Sequence, residues 1–389
     1  MSYYNIDETG ERLKRVSRIL ESNSLDLVLV YYDELNIANG WYLTGWCPQF
    51  EKGAVLIPRN GEPLILGGPE SEPFARASSA IKETRNFSVF MVPDEEYPNA
   101  KIISFADLFS ELGQNGEIRR VGIVGSGAMP YSVYVQLAEG FRNAEIIDVT
   151  NDYTSLRYIK SKWEQENIAQ GFSLAFMSYK AMKEQIKPGV YEYEVAAAGE
   201  AICRKHGANG FGFATIVGSG ERANAVVPTA QNKRMADGEL VMIGIAPKHN
   251  GYCGVVGDTL PVSGVYSDED KSCLNQLREA FRLTRDACKP GISGREIDAP
   301  ARRYYEKHGL LPYLVCPFAH TIGLNEAEAP FFGPNSDDIL EPGMSICIDV
   351  SFFGHPKFNG ARIETGYRVT DTGLDPFCPE MDDLLSSSL

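Results

Sequence analysis

Apolar residues first recur at helical spacing. In ETGERLKRVSRILESN, Leu13, Val16, Ile19 and Leu20 fall on one face and predict an opening helix. LDLVLVYY (25–32) follows as a buried strand, then AVLIP (54–58) and PLILGG (63–68). Helix and strand signals keep alternating as far as RRVGIVGSG (119–127) and AEIIDVT (144–150), the pattern of an α/β domain. The pattern changes around 151–155. Ser161 and Glu164 then have the spacing of a capping box at the head of a long helix, which Lys187, Pro188 and Gly189 should stop. Two domains are expected, 1–155 and 156–389.

The second part repeats itself. KPGVYEYEVAAAGEAICRKHG (187–207) aligns without gaps to KPGISGREIDAPARRYYEKHG (289–309). Each copy reads as a loop and a helix ending in Lys-His-Gly, and each precedes a similar strand, GELVMIG (238–244) or GMSICID (343–349). Two pseudo-equivalent α/β halves follow from this, with Gly244 standing where the other half has Asp349. Asn250 and Gly251, between apolar runs, signal a hairpin turn. The expected picture is a sheet with helices outside and a cleft between related halves.

Several segments together resemble the creatinase/aminopeptidase P/prolidase family: RLKRVSRILESNSLDLVLV and NIANGWYLTG in the first domain, then LRYIKSKWEQENI, AHTIGLNEAEAP, LEPGMSICIDV and GARIETGYRVTDTG. The resemblance implies an α/β (α+β) protein with an N-terminal creatinase-like domain and a C-terminal pita-bread domain with an internal pseudo-twofold repeat. Metal-dependent members hold two divalent ions on two Asp, one His and two Glu. Carried over residue by residue, the His is matched by His320 and the last Glu by Glu364, while Asp349 replaces the other Glu. The two Asp positions fall on Gly244 and Val255. Two further family histidines fall near Val227 and on Ala327, and the adjacent Glu328 is kept. Asp258 is a poor substitute for the carboxylate missing at Val255, because strand alternation turns it to the other face unless a bulge intervenes.

The candidate catalytic residues are therefore His320, Glu364, Asp349 and Glu328. Freed from a metal, His320 could move protons near neutral pH. Glu364 would orient it or bind a cationic substrate, or else form a structural pair with Arg362 on the same sheet face. Asp349 ends an apolar strand and needs partners, since an isolated buried charge is costly. Arg362, Trp46 and Phe50 are candidate substrate-binding residues; the segment 41–52 would line a partner's cleft in a creatinase-like dimer, or simply pack the domain. Cys253 and Cys316 read as buried thiols rather than nucleophiles. The Gly-Ser-Gly turns at 125–127 and 218–220 complete no phosphate-binding motif.

Charge narrows the partners. With 37 Lys and Arg against 52 Asp and Glu in 389 residues, the net charge is −15, which opposes binding to nucleic acid or anionic lipid. No stretch approaches the roughly 18 apolar residues of a membrane span. The eight cysteines form no CxxC pair, and the N-terminus shows no secretory pattern, so a cytoplasmic protein is expected; the resemblance implies a homodimer. The function expected from these residues is metal-independent, cofactor-free hydrolysis of a C–N bond in a small nitrogen-containing molecule. The alternatives are an Xaa-Pro metallopeptidase with one residual metal, a lyase or cyclase on the same scaffold, and a non-catalytic ligand-binding protein.

Overall fold

The computed structural model of the chain describes residues 6–113 and 117–389. Its contacts define two compact units, Met1–Arg157 and Tyr158–Leu389.

In the first unit the amphipathic helix Ile6–Ser22 precedes the buried strand Leu27–Tyr32. That strand lies inside a seven-stranded mixed sheet, antiparallel to Gly53–Pro58 on one side and parallel to Arg120–Val124 on the other. Leu29, Leu56, Leu66, Val121 and Ile123 of the sheet pack with Phe87, Phe105, Leu137 and Phe141 into one core. All-apolar strands fit this placement, because strands covered on both faces need no polar alternation.

The second unit starts with the helix Lys162–Gln185. Its capping box is formed: Glu164 N donates to Ser161 Oγ at 3.2 Å, and Ser161 N donates to Glu164 Oε2 at 2.8 Å. The two repeat copies give matching 14-residue helices, Glu192–Lys205 and Gly294–Lys307. Each leads to a hairpin of an eight-stranded antiparallel sheet, Leu240–Ile245 with Val256–Pro261 in the first half, and Ser345–His355 with Asn359–Thr370 in the second. The first hairpin continues into a small ladder, Pro247–His249 with Tyr252–Cys253. At its tip Asn250 and Gly251 both take positive φ (49° and 86°), as a two-residue turn of this type requires.

The halves meet where Gly257 pairs with Glu364. Antiparallel partners directly opposite share a face, so Gly244, Gly257, Glu364 and Asp349 form one row across four strands. Ile346, Ile348 and Ile363 alternate to the other face and join the core with Val241, Ile243, Leu277, Phe281 and Ile297. The row faces the candidate site; the isoleucines face the helices. No helix among the described residues is long and apolar enough to cross a membrane.

Candidate metal centre

His320 sits in the short strand Ala319–Thr321, paired with Cys347 of Ser345–His355, which carries Asp349 two residues on. Glu364 lies on the next strand directly opposite Asp349. Three strands thus bring one donor atom each of His320, Asp349 and Glu364 within 4.8 Å of one another. All three are buried, at 7%, 6% and 2% exposure.

The imidazole has a fixed orientation. Its Nδ1 lies 3.0 Å from Thr321 O, and a carbonyl only accepts, so Nδ1 carries the hydrogen. Nε2 then points its lone pair, or a second proton, at Glu364 Oε1 (3.6 Å) and Glu326 Oε1 (3.8 Å). Glu364 Oε1 is buried and, among the described residues, makes no hydrogen bond. Burial opposes charge on His320, but the contact with Glu364 and the charges of Glu326, Glu364 and Asp349 outweigh it and lift its pKa to about 10. Burial and then the charge of Glu326 push Glu364 up to about 7, against the pull of His320 and Arg362. Asp349 rises to about 6, by burial and the nearby charge of Glu364, with Arg362 opposing.

Arg362 binds Asp349, not Glu364. Its Nε donates to Asp349 Oδ1 at 2.9 Å and its Nη1 to Val226 O at 2.8 Å, which corrects the same-face pairing with Glu364. Glu328 is not brought into the group; its carboxylate meets Lys160 Nζ at 2.9 Å, and both side chains are buried. Trp46 and Phe50 belong to the N-terminal unit, where Trp46 packs edge-on against Tyr32 (6.5 Å between rings) and Phe50 is 75% exposed. Asp258 is turned to the opposite face, as alternation dictates, and accepts from Tyr179 Oη at 2.8 Å. Cys253 is buried, and Cys316 is partly buried with its thiol pushed up chiefly by burial; neither has the low pKa of a nucleophile. Glu326 was passed over in the sequence because the resemblance singles out its neighbour Glu328. The first acidic residue of NEAEAP was the available signal.

Residues 167–371 match Metallopeptidase family M24, and residues 12–159 match the Creatinase/Prolidase N-terminal domain. The chain belongs to metallopeptidase family M24. The Xaa-Pro dipeptidase of Pyrococcus furiosus is 28% identical over 363 residues, which cover 93% of this chain and 96% of that protein. The prolidase structure from Pyrococcus horikoshii OT3 superposes with a TM-score of 0.81 at 25% identity, covering 97% of this chain and 99% of that one. An Xaa-Pro dipeptidase structure from Bacillus anthracis gives 0.80 at 26% identity, with 95% and 97% covered. The pita-bread fold and creatinase-like N-terminal domain expected from the sequence are those of this family.

A metallopeptidase family implies a metal, and the residues present can be tested against one. An imidazole nitrogen with its other nitrogen anchored to a carbonyl, two buried carboxylates and an orphaned carboxylate oxygen make a fitting donor set for one divalent ion. A second ion is not provided for in the same way: Gly244 and Val255 offer no side-chain donor, Val227 is 42% exposed, and Ala327 is an exposed methyl.

Proposed function

We propose that this chain is a one-metal hydrolase of a C–N bond in a small substrate, with Xaa-Pro dipeptides as its first candidates and His320, Asp349 and Glu364 holding the ion. The observation that carries this is the orphaned Glu364 Oε1, 3.6 Å from a histidine nitrogen whose partner nitrogen is already committed. A buried acceptor without a partner is costly, and a cation at that point resolves it. The names of the relatives above support the substrate class. This reading replaces the metal-independent one suggested by the loss of carboxylates at Gly244 and Val255.

A divalent ion here would supply a Lewis acid for the scissile carbonyl and for the attacking water. The protein's own part is to orient and to move a proton. Hydrolysis adds hydroxyl to the carbonyl carbon and hydrogen to the departing nitrogen, so a group must take a proton and return it. Glu364, buried beside His320 Nε2, would accept that proton through the carboxylate oxygen that an ion leaves open. Arg362 holds Asp349 in place through its Nε.

Metal-free hydrolysis is a second reading with one observation in its favour: Arg362 already occupies Asp349 Oδ1 at 2.9 Å, leaving an imidazolium at His320 to donate the proton. Turnover of Xaa-Pro dipeptides by Mn2+-loaded and chelator-treated protein separates the two. We expect activity only in the loaded protein, lowered at least about 100-fold by His320→Ala or Glu364→Gln. Full turnover under chelation would sink the one-metal reading.

A further inference from the structure

Two observations around the loop 322–327 bear on what would complete a centre held by His320, Asp349 and Glu364. First, Glu326 stands on this loop with its side chain 15% exposed and its Oε1 3.8 Å from His320 Nε2, and among the described residues its carboxylate makes no hydrogen bond. One donor atom each of Glu326, Glu364 and Cys347 lies within 4.8 Å of the others. Second, Glu364 Oε1 beside it is buried and equally without a hydrogen bond. Two carboxylates held this close repel unless a cation lies between them.

The loop is held in this arrangement by the backbone. Ile322 N donates to Ser345 O at 2.9 Å, and Cys253 N of the first hairpin donates to Gly323 O at 2.8 Å. Space for Glu326 comes from Gly212, where a Cβ would lie 2.7 Å from the Cβ of Glu326. Glu326 therefore stands beside the hairpin whose strands have lost their carboxylates.

We infer that Glu326 is a ligand of the same divalent ion, supplying from the loop the carboxylate that Gly244 and Val255 lack. The inference rests on the one-metal reading above. An ion about 2.1 Å from each donor can serve atoms no more than about 4.2 Å apart. The His320–Glu364 and His320–Glu326 separations, 3.6 and 3.8 Å, both meet that limit. Charge agrees as well. Three carboxylates, Glu326, Asp349 and Glu364, face a single guanidinium, Arg362; one divalent ion balances the remainder with His320 neutral. A nitrogen with several carboxylates suits Mn2+, Fe2+, Co2+ or Zn2+.

The test is Mn2+ binding by calorimetry on full-length protein stripped with chelator, comparing wild type, Glu326→Gln, Glu326→Asp and Gly212→Ala. Folding is checked by circular dichroism and by the urea midpoint. We expect one site in the wild type, at least about tenfold weaker binding in E326Q, partial recovery in E326D, and weaker binding in G212A, which keeps the carboxylate but displaces it. A folded E326Q and a folded G212A that both bind Mn2+ within twofold of wild type would overturn the role of Glu326 and leave the one-metal reading standing. A wild type that takes up no Mn2+ would overturn both.

Discussion

The helix Lys162–Gln185 crosses the first hairpin with backbone against backbone, and Gly254→Ala tests that contact directly. A Cβ on Gly254 would lie 2.0 Å from Phe172 N, 2.1 Å from Gly171 C and 2.6 Å from Phe172 Cα. Ordinary contact begins at 3.4 Å, so the helix would have to retreat by roughly 1.4 Å. These three nearest atoms are all main chain, so no side-chain rotation relieves them. Gly254 does not take positive φ, so the clash acts without backbone strain. Retreat would loosen Ile168, Phe172, Ala175 and Tyr179, all buried on that helix. Overpacking typically costs 1–3 kcal/mol where side chains can yield; here at least about 3 kcal/mol is expected. The control is Gly10→Ala, in a helix with nothing within 4 Å of the new methyl. It should stabilise by about 0.5–1 kcal/mol. Urea denaturation of both variants gives the comparison. A Gly254→Ala midpoint within about 0.5 kcal/mol of wild type would refute the close approach.

Other outcomes follow from the same geometry. Tyr179→Phe removes the hydroxyl from buried Asp258 and should cost about 1–3 kcal/mol in chemical denaturation. Because Asp258 faces away from the candidate metal centre, Mn2+ affinity should stay within twofold. In metal-free protein, His320 is shifted from 6.5 to about 10 by its carboxylate neighbours. A raised pKa stabilises fully below pH 6.5, and the gain is lost as pH rises through about 10. The stability difference between wild type and His320→Gln in chelator should therefore shrink from pH 6.5 to 10, and a constant difference in urea midpoints would contradict it. Gly244→Asp with Val255→Asp restores two carboxylates, and the nearest atoms to a Cβ at 244 are side-chain atoms of Ile216 at 3.3 and 3.4 Å. Calorimetry should then count two Mn2+ per chain; a count still at one would show that these positions do not border the centre.

The fold was legible because its signals are local or repeated. Ser161 and Glu164 spell a cap within four residues, Asn250 and Gly251 a turn within two, and the KPG copies announce two matching halves. His320, Asp349 and Glu364 were legible through the family resemblance, and the strand register explains why they converge. What the sequence hid is long-range. Lys160, the partner of Glu328, lies 168 residues away. Arg362 shares a face with Glu364 but sits opposite Ser351, and its length lets it reach Asp349 diagonally. Glu326 is on a loop, where no periodicity tells which way a side chain turns; its place depends on Gly212 and on the bond from Cys253 N to Gly323 O.

On the proposed reading, the buried carboxylates around His320 hold one divalent ion. Metal content by mass spectrometry tests it most directly, on protein purified without chelator and again after incubation with Mn2+, Co2+ or Zn2+. One ion per chain, lost in His320→Ala and Glu364→Gln, is expected. Less than a tenth of an ion per chain, unchanged by incubation, would contradict it and return the metal-free reading to first place.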